Sequence, residues 1–362
     1  MTPIGTVLDI TGIVHQILAW SLPKIRKKTG EFLCDMKRLN SQINAEALGI
    51  KGCFSDIDEY SQATQNWDLS FRQLSPGSLE ASLGAIILPH ANILRTRYNQ
   101  CFQQFGSTPP GMRTFGLLGQ GITGVHWYGR DISDSTLLSF HPTSGFEAIS
   151  QTEFSCYTLS FTEAQLAKTA EALGFPDLDV LLTQHETAHR CENGVVAELR
   201  GRLCRILDAM ESNPAIVKSP VLQNEIEYEI PALLLSTLSS AASEVQRPPM
   251  RMRHRTIVKA IEFIDENPEA SLTIKGLCDA VGVSWRTLDY AFKEHFEVSP
   301  KRYLMAVKMN AVRNELCNMG PSSTITNIAN RWGFWHMSQF AKEYRQFFGE
   351  SPSETLNRIP GP

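Results

Sequence analysis

Two short segments carry residue types that do chemistry. His185-Glu186-Thr187-Ala188-His189 satisfies H-E-x-x-H, in which two histidines one helical turn apart hold zinc and the glutamate activates a water. A zinc metalloprotease is therefore one reading of this chain. It needs a third ligand, and R-C-E-N-G-V-V-A follows where the longer signature wants Gly and His, so Glu198 or Glu211 would have to serve. Gly119-Gln120-Gly121-Ile122-Thr123-Gly124 has the form G-x-G-x-x-G, but V-H-W-Y-G-R-D after it is strand-like and offers no helix to a pyrophosphate. A turn between strands is expected there. His90, His126 and His141 stand singly with no H-x-H spacing, which does not support a cupin-type metal site. The eight cysteines fall at irregular distances without a CxxC pair, and read as buried thiols, neither a disulfide framework nor a zinc site. No metal and no cofactor is expected. His126, Trp127 and Tyr128, adjacent on one strand-like run, are the candidates for lining an effector pocket, against the plainer reading of an aromatic strand facing a core.

The elements that must position these residues follow from composition and period. At 362 residues, with 42% apolar and 20% charged residues, the chain is a globular protein of two or three domains. Its net charge of -4 conceals an asymmetry: Pro248 onward carries 15 Lys/Arg and 12 Asp/Glu, the remainder 19 and 26. Opposite signs suggest different partners, though the C-terminal part is too mildly basic for charge alone to argue nucleic acid. The apolar stretch Ile4 to Trp20 is broken by Asp9 and His15, and its basic flank follows it, unlike a signal peptide; no run approaches about 18 apolar residues. A cytoplasmic protein without a membrane partner is expected.

From about Trp67 to Phe161, short partly alternating runs are separated by Gly, Pro and Asn, the pattern of a small barrel or sandwich. From Thr162 the period becomes helical, with Thr162 a candidate N-cap and helices over Asn193 to Met210 and Val221 to Ala241, serving as a dimer interface or as an outer layer of the strands. Arg247-Pro248-Pro249 reads as a boundary. The expected fold is α+β: a β-rich, cupin-like small-barrel region with flanking helices over 1–160, a helical segment and linker over 161–247, and an all-α domain over 248–362.

That last domain contains a tandem repeat. S-L-T-I-K-G-L-C-D-A-V-G-V at 271–283 matches S-T-I-T-N-I-A-N-R-W-G-F at 323–334. In each copy apolar residues recur at helical spacing and stop at a glycine, Gly282 or Gly333. A second stripe follows: Leu288, Phe292 and Phe296 in one copy, Phe340, Tyr344 and Phe348 in the other. Each copy is a helix, a tight turn and a second helix, that is, a helix-turn-helix, over about 273–296 and 324–348. With the stripes inward, Trp285, Arg286, Asp289, Tyr290 and Lys293 face outward in the first copy, and Trp335, His336, Met337, Ser338, Ala341 and Lys342 in the second. Exposed aromatics beside basic residues are costly on a plain helical bundle and fit thymine methyls and sugar edges.

The pattern I-x-x-I-A-x-x-W-G-F, the run from Ser338 to Phe348 and G-E-S-P at 349–352 resemble the C-terminal signature of AraC/XylS-type transcription regulators, in which a long helix, here Pro300 to Cys317, joins two such motifs. D-I-D-E-Y, W-D-L-S-F-R-Q-L-S-P-G, P-G-M-R-T-F-G and W-Y-G are similar to the effector or dimerisation region of the branch that includes ethanolamine-utilisation regulators. The resemblance implies a sequence-specific DNA-binding regulator, an activator by family tendency, with double-stranded DNA and RNA polymerase as partners, a small-molecule effector, and the capacity to form a homodimer. The outward residues then become base contacts, with Arg286 placed to grip guanine and Asp289 to accept from cytosine. Thr273, Lys293, Thr324 and Arg345 become phosphate contacts. A regulator whose N-terminal part only dimerises, without a ligand, is the remaining alternative.

Overall fold

Short alternating runs fold into antiparallel strands that bury one face each, and the helical repeats fold against one another around their aromatic stripes. The computed structural model describes residues 47–64, 67–128, 130–175, 188–240, 252–267, 272–318 and 323–358. The strands are β1 (Leu48–Phe54), β2 (Asp68–Gln73), β3 (Ala81–Ile87), β4 (Ala91–Tyr98), β5 (Phe102–Ser107), β6 (Met112–Leu118), β7 (Val125–Trp127), β8 (Arg130–Ile132), β9 (Thr136–Ser139), β10 (Phe146–Ile149), β11 (Phe154–Thr162) and β12 (Ala188–Arg190). They form a seven-stranded sheet, in order β1-β3-β4-β11-β6-β9-β12, and a five-stranded sheet, in order β2-β5-β10-β7-β8. The expected α+β class holds. Among the described residues the strands form two ladders, not one closed ring, and the two sheets face each other across a shared apolar core.

The register of the larger sheet explains its second core. Leu159 of β11 lies between Ile93 of β4 and Phe115 of β6, so three apolar side chains line up across three strands. They pack against helices α2 (Glu163–Ala172), α3 (Asn193–Ser212) and α5 (Ile230–Ser240), the last reached through α4 (Pro220–Asn224) and a wide turn over Glu225–Glu229. Thr162 caps α2 as expected, its side chain accepting from Gln165 N. These helices are thus an outer layer on the sheet. Buried Arg95 of β4 fixes α3, reaching Asp208 at 2.6 Å and Glu211 at 2.5 Å.

The C-terminal region consists of α6 (Met252–Glu266), α7 (Ile274–Val281), α8 (Trp285–Phe296), α9 (Pro300–Cys317), α10 (Ile325–Arg331), α11 (Met337–Phe348) and α12 (Pro352–Arg358). The repeat appears as two helix pairs, α7–α8 and α10–α11, joined by α9. Side-chain caps start five of the helices: Thr273 accepts from Gly276 N, Ser284 from Thr287 N, Ser299 from Arg302 N, Thr324 from Asn327 N and Ser351 from Glu354 N. Both turns use the left-handed conformation, at φ +75° for Gly282 and +83° for Gly333, which costs a side chain about 1–2 kcal/mol. Leu288, Phe292 and Phe296 are buried around Tyr303 of α9, and Phe340 and Tyr344 pack with Met309, Val312 and Leu316 of the same helix. One helix therefore serves two cores.

That helix also docks on the β region. Asn310 Oδ1 accepts from Gln73 N at 3.0 Å, the Tyr303 hydroxyl donates to Gln103 at 2.7 Å, and Arg72 donates to that hydroxyl and to Asp265. Arg313, largely buried, donates to Asp56 and to Asp58, both at 2.7 Å. D-I-D-E-Y thus has a physical role. Asp56 caps α1 (Ile57–Ala63) with one oxygen and holds Arg313 with the other.

Candidate nucleic-acid interface

On α8 the burial of Leu288, Phe292 and Phe296 turns the opposite face to solvent. Trp285 is 49% and Tyr290 48% exposed, and they stand together with Arg286 on one face. Arg286, also exposed, lies over the Tyr290 ring at 5.6 Å and donates to its hydroxyl at 3.3 Å. The pair presents a guanidinium backed by an aromatic plane, a shape suited to guanine O6 and N7. Asp289 does not stand open as a base acceptor: Lys293, one turn on, reaches its carboxylate at 2.8 Å. The expected base contact and the expected phosphate contact thus neutralise each other here.

At the entry to α11 Trp335 is 72% exposed and the N-cap residue His336 is exposed, as are Ser338 and Lys342 on the helix. Ala341 is half-buried. Met337 is a correction to the outward assignment, since it packs against the apolar cluster of Phe340 and Tyr344, where the first turn of the helix meets its core. Arg345 is exposed but reaches Glu354 of α12 at 2.7 Å. Hydrogen bonds from Ser351 and Arg345 hold the Glu354 carboxyl down at about 2, so this partner stays ionised and competes with phosphate for Arg345. Thr273 and Thr324 are exposed caps that keep a hydroxyl hydrogen to donate. Gln339 is exposed on the same helix, with its amide on Glu343 at 2.6 Å, and has the bidentate geometry that reads adenine. The repeat gives no signal for it, because the matching residue of the first copy, Thr287, belongs to the Ser284 cap.

The rival chemistries separate at this point. His189 lies on β12, paired with β9, and its Nε2 meets Ser139 at 3.1 Å. A strand cannot place two histidines one helical turn apart; His185 to Thr187 lie outside the described residues. Among the described residues no three His, Cys, Asp or Glu side chains gather as a metal site. Gly119 to Gly124 form the turn from β6 to β7, with Gly121 and Gly124 at positive φ. No described helix is long and apolar enough to cross a membrane.

Behind the interface, the two sheets flank a half-open cavity of about 70 Å³ walled by aromatic residues, among them Tyr60, Phe71, Trp127, Phe140, Phe146 and Phe154. Of the three sequence candidates only Trp127 lines it. Tyr128 turns outward to donate to Gly145 O, and His126 faces the opposite side of the sheet, because neighbours on a strand point apart. The other lining residues lie on β7 itself, on eight further strands, on α1 or in the loops beside them, distances no local pattern reveals.

His126 stacks on His295 of α8 at 5.2 Å and meets Asp131 at 2.7 Å. Burial holds its imidazole below the ordinary 6.5, against the opposing pull of Asp131, Glu297 and Glu294. The undocked chain therefore takes up a proton near pH 6.5 that the docked one refuses, so docking is strongest above that pH and weakens as pH falls below it. Thermal melts at pH 7.5 and 5.5 should show this loss, and His126→Gln should flatten it. An unchanged pH dependence in that variant would remove His126 from the account.

Two helix-turn-helix units on one long helix, behind a ligand-sized cavity, define a helix-turn-helix regulator architecture. The helix-turn-helix domain family matches residues 277–358. The probable thc operon regulatory protein of Rhodococcus erythropolis is 38% identical over 102 residues, which cover 28% of this chain and 31% of that protein. The XylDLEGF operon transcriptional activator 2 of Pseudomonas putida is 34% identical over 127 residues, which cover 34% of this chain and 78% of that protein. A solved structure, a probable AraC family transcriptional regulator from Rhodopseudomonas palustris CGA009, is 33% identical, covering 29% of this chain and 98% of that one at a TM-score of 0.27. The chain belongs to the AraC/XylS-type transcription regulators. It spans 31% and 40% of the length of the first two curated relatives it matches.

Proposed function

We propose that the protein is a cytoplasmic, sequence-specific DNA-binding regulator, an activator acting with RNA polymerase, whose β region senses a small molecule. The observation that carries this reading is the paired set of outward aromatic and basic residues, Trp285 with Arg286 on the second helix of the first unit, and Trp335, just before the second helix of the other unit, with Lys342 on it. A single short helix reaches three or four base edges, and two in one chain can enter successive major grooves about 34 Å apart. Residues 1–160 act as the sensor, 161–247 as its outer layer and linker, and 248–362 as the reading domain. The sheet that walls the cavity also touches α8 and α9, so the sensor and the reader share one structural layer.

The test is a binding titration on operator variants over several salt concentrations. Arg286→Ala is expected to cost about 1–3 kcal/mol and to relax preference at one base pair. Lys293→Ala should weaken all sequences alike, because it bares the Asp289 carboxylate that Lys293 now neutralises and turns it against the phosphates. Equal losses on every sequence for both variants would remove direct readout by Arg286.

A further inference from the structure

The cavity between the sheets has a chemistry more specific than its apolarity. None of its lining residues carries a charge, and the acid-base groups that reach it are held neutral. Burial pushes the Cys156 thiol up to about 12 and raises the Tyr60 phenol well above its ordinary value. The polar groups are also largely spent on one another. The Tyr60 hydroxyl donates to Thr96 Oγ1 at 3.0 Å, the Thr64 hydroxyl to Ser61 O at 2.8 Å, and the Gln104 amide to the Tyr98 hydroxyl. Among the described residues, one fully buried lining donor lacks a partner. Trp127 is 2% exposed, its ring is boxed by Phe140 at 4.7 Å and Phe146 at 5.4 Å, and its Nε1 has no hydrogen-bond partner.

An unpaired N–H in so apolar a wall carries a desolvation cost that a ligand acceptor would recover. A carboxylate or ammonium would instead lose its hydration with no counter-charge to meet it. Size narrows the class further. In this measure one water needs roughly 10–15 Å³, so the cavity holds about five waters, the room of a single substituted ring. Its edge-on aromatic walls suit a flat guest.

We infer that the effector is an uncharged, single-ring aromatic or similarly compact apolar molecule with one hydrogen-bond acceptor, which accepts a hydrogen bond from the Trp127 Nε1–H. This rests on the sensor reading above.

The experiment uses the full-length chain and three probes that differ in one property each: acetophenone, ethylbenzene and benzoate, followed by calorimetric titration. Acetophenone is expected to bind at least tenfold more tightly than benzoate and severalfold more tightly than ethylbenzene. Trp127→Phe should lower acetophenone affinity about fivefold, leave ethylbenzene unchanged, and so erase the difference between them. Because that variant could disturb the aromatic box, the wild-type indole N–H resonance of Trp127 is followed as well; acetophenone should move it downfield and ethylbenzene should not. Benzoate binding as tightly as acetophenone, or acetophenone binding without a shift of that resonance, would overturn the assignment while leaving a sensor in place. Binding of none of the three, with operator binding intact in the same preparation, would overturn the assignment and the sensor reading together, leaving the regulator.

Discussion

Replacing Arg313 by methionine is expected to destabilise the protein by about 3–5 kcal/mol, the range for removing one partner of a buried ion pair. The guanidinium is 8% exposed and donates to Asp56, itself 6% exposed, while Asp58 and Glu350 stand near at 2.7 and 3.9 Å. Its plane also lies 5.8 Å over the Phe348 ring. Methionine fills the volume but takes from the buried Asp56 carboxylate the guanidinium that neutralises it, and the weakened compensation of that desolvated charge is the main cost. Combining it with Asp56→Asn should recover most of the loss, because asparagine keeps the acceptor that caps α1 and removes the stranded charge. Urea unfolding of the single and double variants decides this. A single-variant loss below about 1 kcal/mol would show that the cluster is solvated and that the two regions are not clamped there.

Phe292→Ala should cost a similar amount, about 3–5 kcal/mol, through lost transfer energy and the cavity left behind. Phe292 is fully buried, with ring contacts to Phe296 at 5.4 Å and to Tyr303 at 5.2 Å. Tyr303 in turn donates to Gln103 across the interface, so the defect spreads from the first helix-turn-helix into its docking surface. Against a typical domain stability of about 5–15 kcal/mol this is a large share. Operator binding should therefore fail at temperatures where the wild type still binds, and Phe292→Leu should retain most of it. If the alanine variant melted within a few degrees of the wild type, the first unit would have a looser core than its burial implies.

The two helix pairs were legible in the sequence because their signals are local: a glycine stop, a threonine cap and an apolar i, i+4, i+8 stripe all fall within about twenty residues. Even the extra residue in the second turn follows from the change of offset between the copies. The α+β class was legible for the same reason. What lies between distant segments was not. Arg72, Asp56, Asp58 and Arg313 are ordinary surface charges by type, and only the fold brings residues more than 190 positions apart into one interface. Met337 follows the N-cap His336 as the first residue of α11, where it is half-buried against Phe340 and Tyr344, a contact the outward pattern of the repeat does not reveal. Asp289 and Arg345 fit the outward face, but side chains a turn or a helix away already engage them. Of the W-Y-G neighbourhood, composition showed an aromatic strand, and only the pleat shows that Trp127 and His126 serve different sides.

That pleat gives the smaller sheet a division of labour by parity. Leu69 and Phe71, Gln104, Trp127, and Phe146 with Ala148 border the chamber, while Arg72, Gln103, His126 and Ile149 meet the helical half. Adjacent codons thus encode separate tasks. A lineage could exchange every residue of one parity and so acquire taste for a new metabolite, while the alternate positions keep their grip on the reading heads. Sensing could then diversify quickly without any loss of transmission.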